Sequence, residues 1–255
     1  MNAPNVDIVI VVDASDSMSP CFKALSENLQ ELVKPMQGYV NNVRFSILTH
    51  LVSNDGNGNH VYFHQSLCSE NILNRLYGST DGQNPLNGDD LFTNDGDKVI
   101  QVLKSTEPKG NEEMLIALDI ALDFPFGDVS NTKRVVALFS DERLEDGITK
   151  GQYVSKIPDI VDKIHNRRIK LFAALPGSDG LWTLGEADQS EIEDVDGGNG
   201  LQNVDFAKLL EQMGKSISGS SLQAVGEPSY KKAIFGQNKW GLTNFTFNES
   251  NRRDS

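Results

Sequence analysis

The chain has little cysteine, little positive charge and no long apolar run, and each shortage excludes something. Two cysteines in 255 residues, Cys21 and Cys68, are far apart in sequence and set among apolar residues. They read as reduced, buried thiols and not as a disulfide framework. Lys and Arg number 23 against 36 Asp and Glu, giving a formal charge of -13 and a pI near 4.7. A chain this acidic is repelled by a nucleic-acid backbone and by an anionic membrane, so a basic protein surface is the better-matched partner. No stretch approaches the ~20 apolar residues of a membrane span, and Met1–Val6 has no basic segment leading into an apolar core. A cytoplasmic location is the expectation. There is no G-x-S-x-G elbow, no G-x-x-x-x-G-K-[ST] loop and no internal repeat, so hydrolase and nucleotide-binding readings lack their usual supports. His50, His60 and His64 are too sparse for a zinc site, because a four-residue step along a strand separates side chains by roughly 13 Å. They are expected on the surface or in a hairpin.

What the chain does have is concentrated near its start. Val6-Asp-Ile-Val-Ile-Val-Val-Asp-Ala-Ser-Asp-Ser-Met-Ser-Pro20 passes from an unbroken apolar run into a cluster of oxygen-bearing side chains. A run of Val and Ile without polar alternation suits a strand covered by helices on both faces, and such strands deliver functional groups at their carboxyl ends. Asp13, Ser15 and Ser17 stand at that end. Oxygen ligands at alternate positions of a turn can converge on one hard cation, the carboxylate supplying charge and the hydroxyls filling an octahedron that still includes water. Ser19 is expected to cap a helix whose first residue is Pro20.

Strand and helix patterns then alternate along the chain. Phe22, Leu25, Leu29, Leu32, Val33 and Met36 mark one helix from about Pro20 to Gly38. Val43–Thr49 and Val61–Gln65 read as strands joined across Asn54-Asp-Gly-Asn-Gly-Asn59, a β-hairpin turn. The competing calcium-loop reading of Asp55, Asn57 and Asn59 lacks a closing acid, since Ser66 stands there. Short helices are expected near Asn71–Tyr77 and Lys98–Ser105, with an acidic loop insertion at about 78–97 between them. Gly110–Leu122 reads as a helix with acidic residues in its first turn. Val135–Ser140 and Ile169–Leu175 read as buried strands, Tyr153–Asn166 and Asp205–Ser218 as helices. Trp182, Leu184 and Ile192 are expected to fill gaps in the packing, and Gly197-Gly198 to form a turn. Ser218-Gly-Ser-Ser221 resembles a linker, which divides the chain into residues 1–220 and a basic, aromatic arm at 221–255. The alternation argues for an α/β fold, a doubly wound and mainly parallel sheet.

Asp13-x-Ser15-x-Ser17 after a hydrophobic strand resembles the metal-ion-dependent adhesion site of von Willebrand factor type A (vWA) domains. The resemblance covers roughly Val6 to Ser218 and implies six strands, the hairpin placing one antiparallel strand at an edge. In that family a third loop brings an Asp after an apolar strand, and Asp141 in Leu138-Phe-Ser-Asp-Glu142 matches it by context. The family's second loop brings a Thr. Counting back from Ala117-Leu118 puts Glu112 in that place, between Asn111 and Glu113. Two readings of Glu112 are open: a third carboxylate on the ion, which would lower the ion's appeal to an acidic partner, or an acid that only favours a helix N-terminus.

The resemblance implies a non-enzymatic module that binds Mg²⁺, or Ca²⁺ or Mn²⁺, at Asp13, Ser15, Ser17, Glu112 and Asp141. Such a module engages a protein partner whose acidic residue completes the metal shell. In size the chain is similar to short cytoplasmic bacterial vWA proteins of the tellurite-resistance (TerY) type, which implies a role in stress response or defence. One rival is a metal-dependent phosphohydrolase with Asp13 as nucleophile, although Ser15 stands where such enzymes carry a second Asp. A further one is a structural subunit of a larger assembly, docked by the arm.

Overall fold

β1 (Asn5–Asp13) is buried along nearly its whole length, and its side chains divide between two cores. A computed structural model describes residues 3–37, 39–54, 56, 60–67, 76, 91–147, 153–187 and 189–223. Val6, Ile8, Ile10 and Val12 lie in one apolar cluster and Val9 and Val11 in the other. That division is why the sequence of β1 shows no alternation: both faces of the strand are covered.

Around β1 the sheet has the order β3-β2-β1-β4-β5-β6, formed by β2 (Asn42–Asn54), β3 (His60–Ser66), β4 (Thr132–Phe139), β5 (Ile169–Leu175) and β6 (Glu191–Asp194). All neighbours are parallel except β2 and β3, which pair antiparallel with Leu48 opposite Ser66 and Asn54 opposite His60. The expected mainly parallel, six-stranded sheet with one antiparallel edge is the observed one. β6 has no counterpart among the strands legible in sequence, because Glu-Ile-Glu-Asp offers no apolar run.

Six α-helices cover the two faces among the described residues. α1 (Ser19–Val33), α2 (Gly96–Ser105) and α6 (Phe206–Gln223) contribute to the cluster containing Ile8 and Ile10. α3 (Met114–Leu122), α4 (Ile157–Asn166) and α5 (Asp179–Leu184) contribute to the one containing Val9 and Val11. α1 and α6 approach closely at Gly214, where an added Cβ would overlap the carbonyl of Leu32. No described helix is long and apolar enough to cross a membrane.

Several local expectations need correction. Ser19 does not cap α1: the 3₁₀ turn Asp16–Met18 runs straight into the helix, so Ser19 already has helical angles. α1 ends at Val33 and a 3₁₀ turn, Lys34–Met36, follows it. α3 begins at Met114 and not at Gly110, because Asn111 instead bridges Val52 of β2 through both backbone groups, at 2.7 and 2.9 Å. α6 continues through Ser218–Ser221 to Gln223, since extending an existing helix costs far less than starting one. The packing expectation holds for Leu184, buried in α5, and for Ile192, which packs against the same cluster from β6, while Trp182 is half-buried. The expected helix at 71–77 (apart from Leu76), most of the acidic loop, Cys68, the hairpin turn residues 55 and 57–59, and the arm from 224 onward lie outside the described residues.

At the amino ends of the strands a buried ion pair ties the sheet to its surroundings. Arg44 Nε and Nη2 each donate to Asp7 at 2.8 Å, and the Gly127 N–H donates to the same carboxylate at 2.7 Å. Asp7 is fully buried, so removing its carboxylate takes two charged hydrogen bonds from the Arg44 guanidinium and one from the Gly127 amide. Asp7→Ala should cost about 2–4 kcal/mol in urea unfolding; a loss below about 1 kcal/mol would show that water satisfies these groups.

Candidate metal-ion site

The chain leaves β1 for β2 on one side and later returns to β4 on the other, so a crevice opens above the carboxyl ends of β1 and β4. Asp13 ends β1 and Asp141 follows β4, which places the two acids on either side of it. The turn after β1 is shaped by Asp13 itself. Its Oδ1 accepts the Ser15 N–H at 2.7 Å, and its Oδ2 accepts the Ser140 hydroxyl at 2.8 Å. Ser15 Oγ and Ser17 Oγ are 3.4 Å apart, and Ser17 donates to Asp141 Oδ1 at 2.9 Å. Asp13, Ser15, Ser17 and Asp141 therefore form one continuous polar chain from β1 to β4.

Glycines close the far side. The Gly200 N–H donates to Asp141 Oδ2 at 2.7 Å, and the Gly198 N–H to the Asp141 carbonyl at 2.8 Å. Gly200 has φ 61°, and an added Cβ would overlap the Ser17 carbonyl oxygen, so no other residue fits this turn without moving the serine. Ser140 and Gly200 are site-building residues that sequence reasoning missed. Ser140 had a visible signal, a hydroxyl at the end of an apolar strand directly before Asp141. Gly200 had only its place in a glycine-rich turn.

Glu112 arrives by a different route. Besides the Asn111–Val52 bridge, the Lys109 N–H donates to the Ala14 carbonyl at 2.7 Å, and the Ala14 N–H donates to the His50 carbonyl at 2.8 Å. β2 thus lays the segment before α3 beside the Asp13 turn. Glu112 is nearly buried. Burial, then the charges of Asp13, Glu142 and Asp141, push its carboxyl up to about 8. Burial also raises Asp13 to about 6, against the lowering effect of its hydrogen bonds from Ser15 and Ser140. Burial and Asp141 raise Glu142 as well. Cys21, beneath the site, is held as a thiol by burial and by the two aspartates.

Among the described residues no Lys or Arg forms an ion pair with Asp13, Glu112 or Asp141. Nor do three His, Cys, Asp or Glu side chains come together closely enough to hold a metal by themselves. A cation here would need the hydroxyls of Ser15 and Ser17 as well as carboxylates. An all-oxygen set of acids and hydroxyls suits a hard divalent ion completed by water.

His50 and His64 lie in the β2–β3 hairpin, as expected, but in contact with each other and, for His50, away from the surface. They face each other across β2 and β3, Nδ1 of His50 lying 3.0 Å from Nε2 of His64, and His50 is fully buried with its Nε2 unpartnered among the described residues. Spacing along one strand hid a contact made between strands. Burial lowers His50 to about 3, His64 adding to the effect, and burial lowers His64 to about 4.

No protein-family model matches the sequence, and no curated protein does. Among solved structures, the crystal structure of the SpRpn10 VWA domain is similar with a TM-score of 0.51, covering 82% of this chain and 95% of that chain at 10% identity. At that identity the likeness concerns architecture: the chain has the fold of a VWA domain.

The buried groups give a pH dependence whose sign can be worked out. Glu112 titrates near 4.5 when unfolded and near 8 when folded, so the folded chain holds the extra proton between those values and loses stability as pH rises through them. Asp13 acts in the same sense from 3.8 to about 6. The two histidines act oppositely below 6.5, and Lys133, lowered to about 8 by burial and Lys170, acts above that value. In chelator, melting temperature should therefore fall between pH 6.5 and 8, and Glu112→Gln should flatten the slope. A flat parent profile would mean that the Glu112 carboxylate is hydrated.

Proposed function

We propose that this protein is a non-enzymatic interaction module that binds a divalent cation, Mg²⁺ or else Ca²⁺ or Mn²⁺, and uses it to engage a protein partner. Asp13, Ser15, Ser17 and Asp141 would hold the ion, with Glu112 as the further acidic ligand. When bound, the ion offers an open position to an acidic side chain of the partner. The observation that carries this reading is the polar chain from Asp13 through Ser15 and Ser17 to Asp141, which joins two strand ends with hard oxygen donors and no basic side chain. Ser140 and Gly200 keep the two aspartates apart and fixed, each taking up one carboxylate oxygen. Glu112 contributes charge, and its loss of a proton on metal binding would make the site's affinity rise with pH.

The phosphohydrolase reading is less well supported. Both oxygens of Asp13 already accept hydrogen bonds, and Ser15 offers no acid where such an enzyme would need one. A role in bacterial stress response or defence, in the cytoplasm, extends the same reading by analogy with short TerY-type proteins.

Millimolar Mg²⁺ should raise the melting temperature relative to chelator, and Asp13→Ala should abolish the increase, because the hydroxyls of Ser15 and Ser17 carry too little charge to retain the ion. An unchanged melting temperature, with no heat in calorimetric titration, would remove the metal from the proposal. Pull-downs with and without chelator should recover different partners, and a generic aryl phosphate should not be hydrolysed.

Glu112→Thr separates the two roles of that residue. If its carboxylate is on the ion, the variant should bind metal at least ~10-fold more weakly, since losing even a partner behind a ligand costs that much, yet hold its partner more tightly. Equal metal and partner binding in parent and variant would place Glu112 outside the ion's ligands.

A further inference from the structure

Among the described residues β3 is an end strand of the sheet, and an end strand presents a row of backbone groups to any further strand. Its sequence lacks the usual guards. His60-Val-Tyr-Phe-His-Gln-Ser66 contains no proline, lysine or acid, the residues that usually blunt an edge. Val61 and Phe63 are 37% and 50% exposed. Phe63 is paired with Leu51, so both side chains lie on the sheet face that carries α1, α2 and α6. Among the described residues the chain around α2 meets that face at Gln65, whose side-chain amide donates to Ser105 at 3.2 Å and accepts from Thr106 at 2.9 Å.

The chain runs on past Gln223 to Ser255, and its composition there opposes that of the body. Residues 224–255 hold five Lys and Arg against three Asp and Glu, in a chain whose formal charge is -13. Within them Thr243-Asn-Phe-Thr-Phe-Asn248 alternates with period two, Thr243, Phe245 and Phe247 on one side and Asn244, Thr246 and Asn248 on the other. α6 ends toward the amino ends of the strands, where the Ile217 carbonyl accepts from Lys133 at 3.1 Å. From there the intervening ~20 residues, extended, reach on the order of 60 Å, enough to cross the domain.

We propose that Thr243–Asn248 adds as a further strand along the outer edge of β3, laying Phe245 and Phe247 beside Val61 and Phe63. The apolar layer of that face then continues to the new edge, and the Asn and Thr side chains face the other way. Backbone pairing supplies the attachment, the aromatic side chains set the register, and the opposed charges of arm and body favour the encounter.

The test is amide hydrogen exchange at Val61–Gln65 in the full chain. Exchange there should be at least ten-fold faster in the double variant Phe245→Ser, Phe247→Ser than in the parent. A synthetic peptide of residues 240–250 should restore slow exchange to the double variant, but not to a chain that also carries Phe63→Lys. Unchanged protection in β1 and β4 would show that each variant is folded, Phe63 being half exposed and tolerant of Lys. Equal exchange in parent and double variant overturns the proposal. So does protection that rises with protein concentration alongside a dimer mass in light scattering, because a second copy would then occupy the edge.

Discussion

The structure depends on a strand that has no exposed face. β1 is covered by helices on both sides and paired with β2 and β4 on both edges, so its polar chemistry is confined to its two ends, the Asp7–Arg44 ion pair at the amino end and Asp13 at the carboxyl end. Asp13 is placed there by that constraint. The same geometry sets the position of Asp141, because β4 runs parallel to β1 in register and ends beside it, with Val12 opposite Phe139.

Placing acids at the end of a buried strand carries an electrostatic cost, which the local structure reduces one hydrogen bond at a time. Ser15 and Ser140 each donate to Asp13, Ser17 and Gly200 each donate to Asp141, and burial still leaves Asp13 above its ordinary range. Glu112 has less such support and is pushed further. Neutral donors can orient a buried carboxylate, but a positive charge stabilises it more strongly. That asymmetry is the physical ground for the cation reading.

The hairpin extends this platform sideways. β2 is longer than its alternating core because its last residues serve β3 and the segment before α3 at once, Val52 bridging Asn111 while pairing with Tyr62. His50 lies in the same layer as Asp13, opposite it in register, and meets His64 on the next strand. A neutral imidazole pair can be buried at lower cost than a charged one, which accounts for the downward shift of both rings.

Much of this architecture was legible in the sequence. The helical spacing from Phe22 to Met36 carries a periodicity of its own, and the apolar runs of β1 and before Asp141 and Pro176 read as buried strands by their short length and the turn residues that end them. Asp13, Ser15 and Ser17 could be grouped because they are adjacent in one turn. Other features depended on pairings between distant segments, which periodicity does not encode. The approach of Glu112 is set by backbone bonds from Lys109 and Asn111 to Ala14 and Val52, the His50–His64 contact by cross-strand register, and the fit of Gly200 by the Ser17 carbonyl above it. β6 was invisible because its four residues are held by their neighbour β5 and not by any apolar pattern of their own. The sequence determined which strands are buried and where the acids follow them, since burial is written in side-chain chemistry; the tertiary structure alone decided which distant groups meet those acids, since long-range contacts are made by backbone geometry.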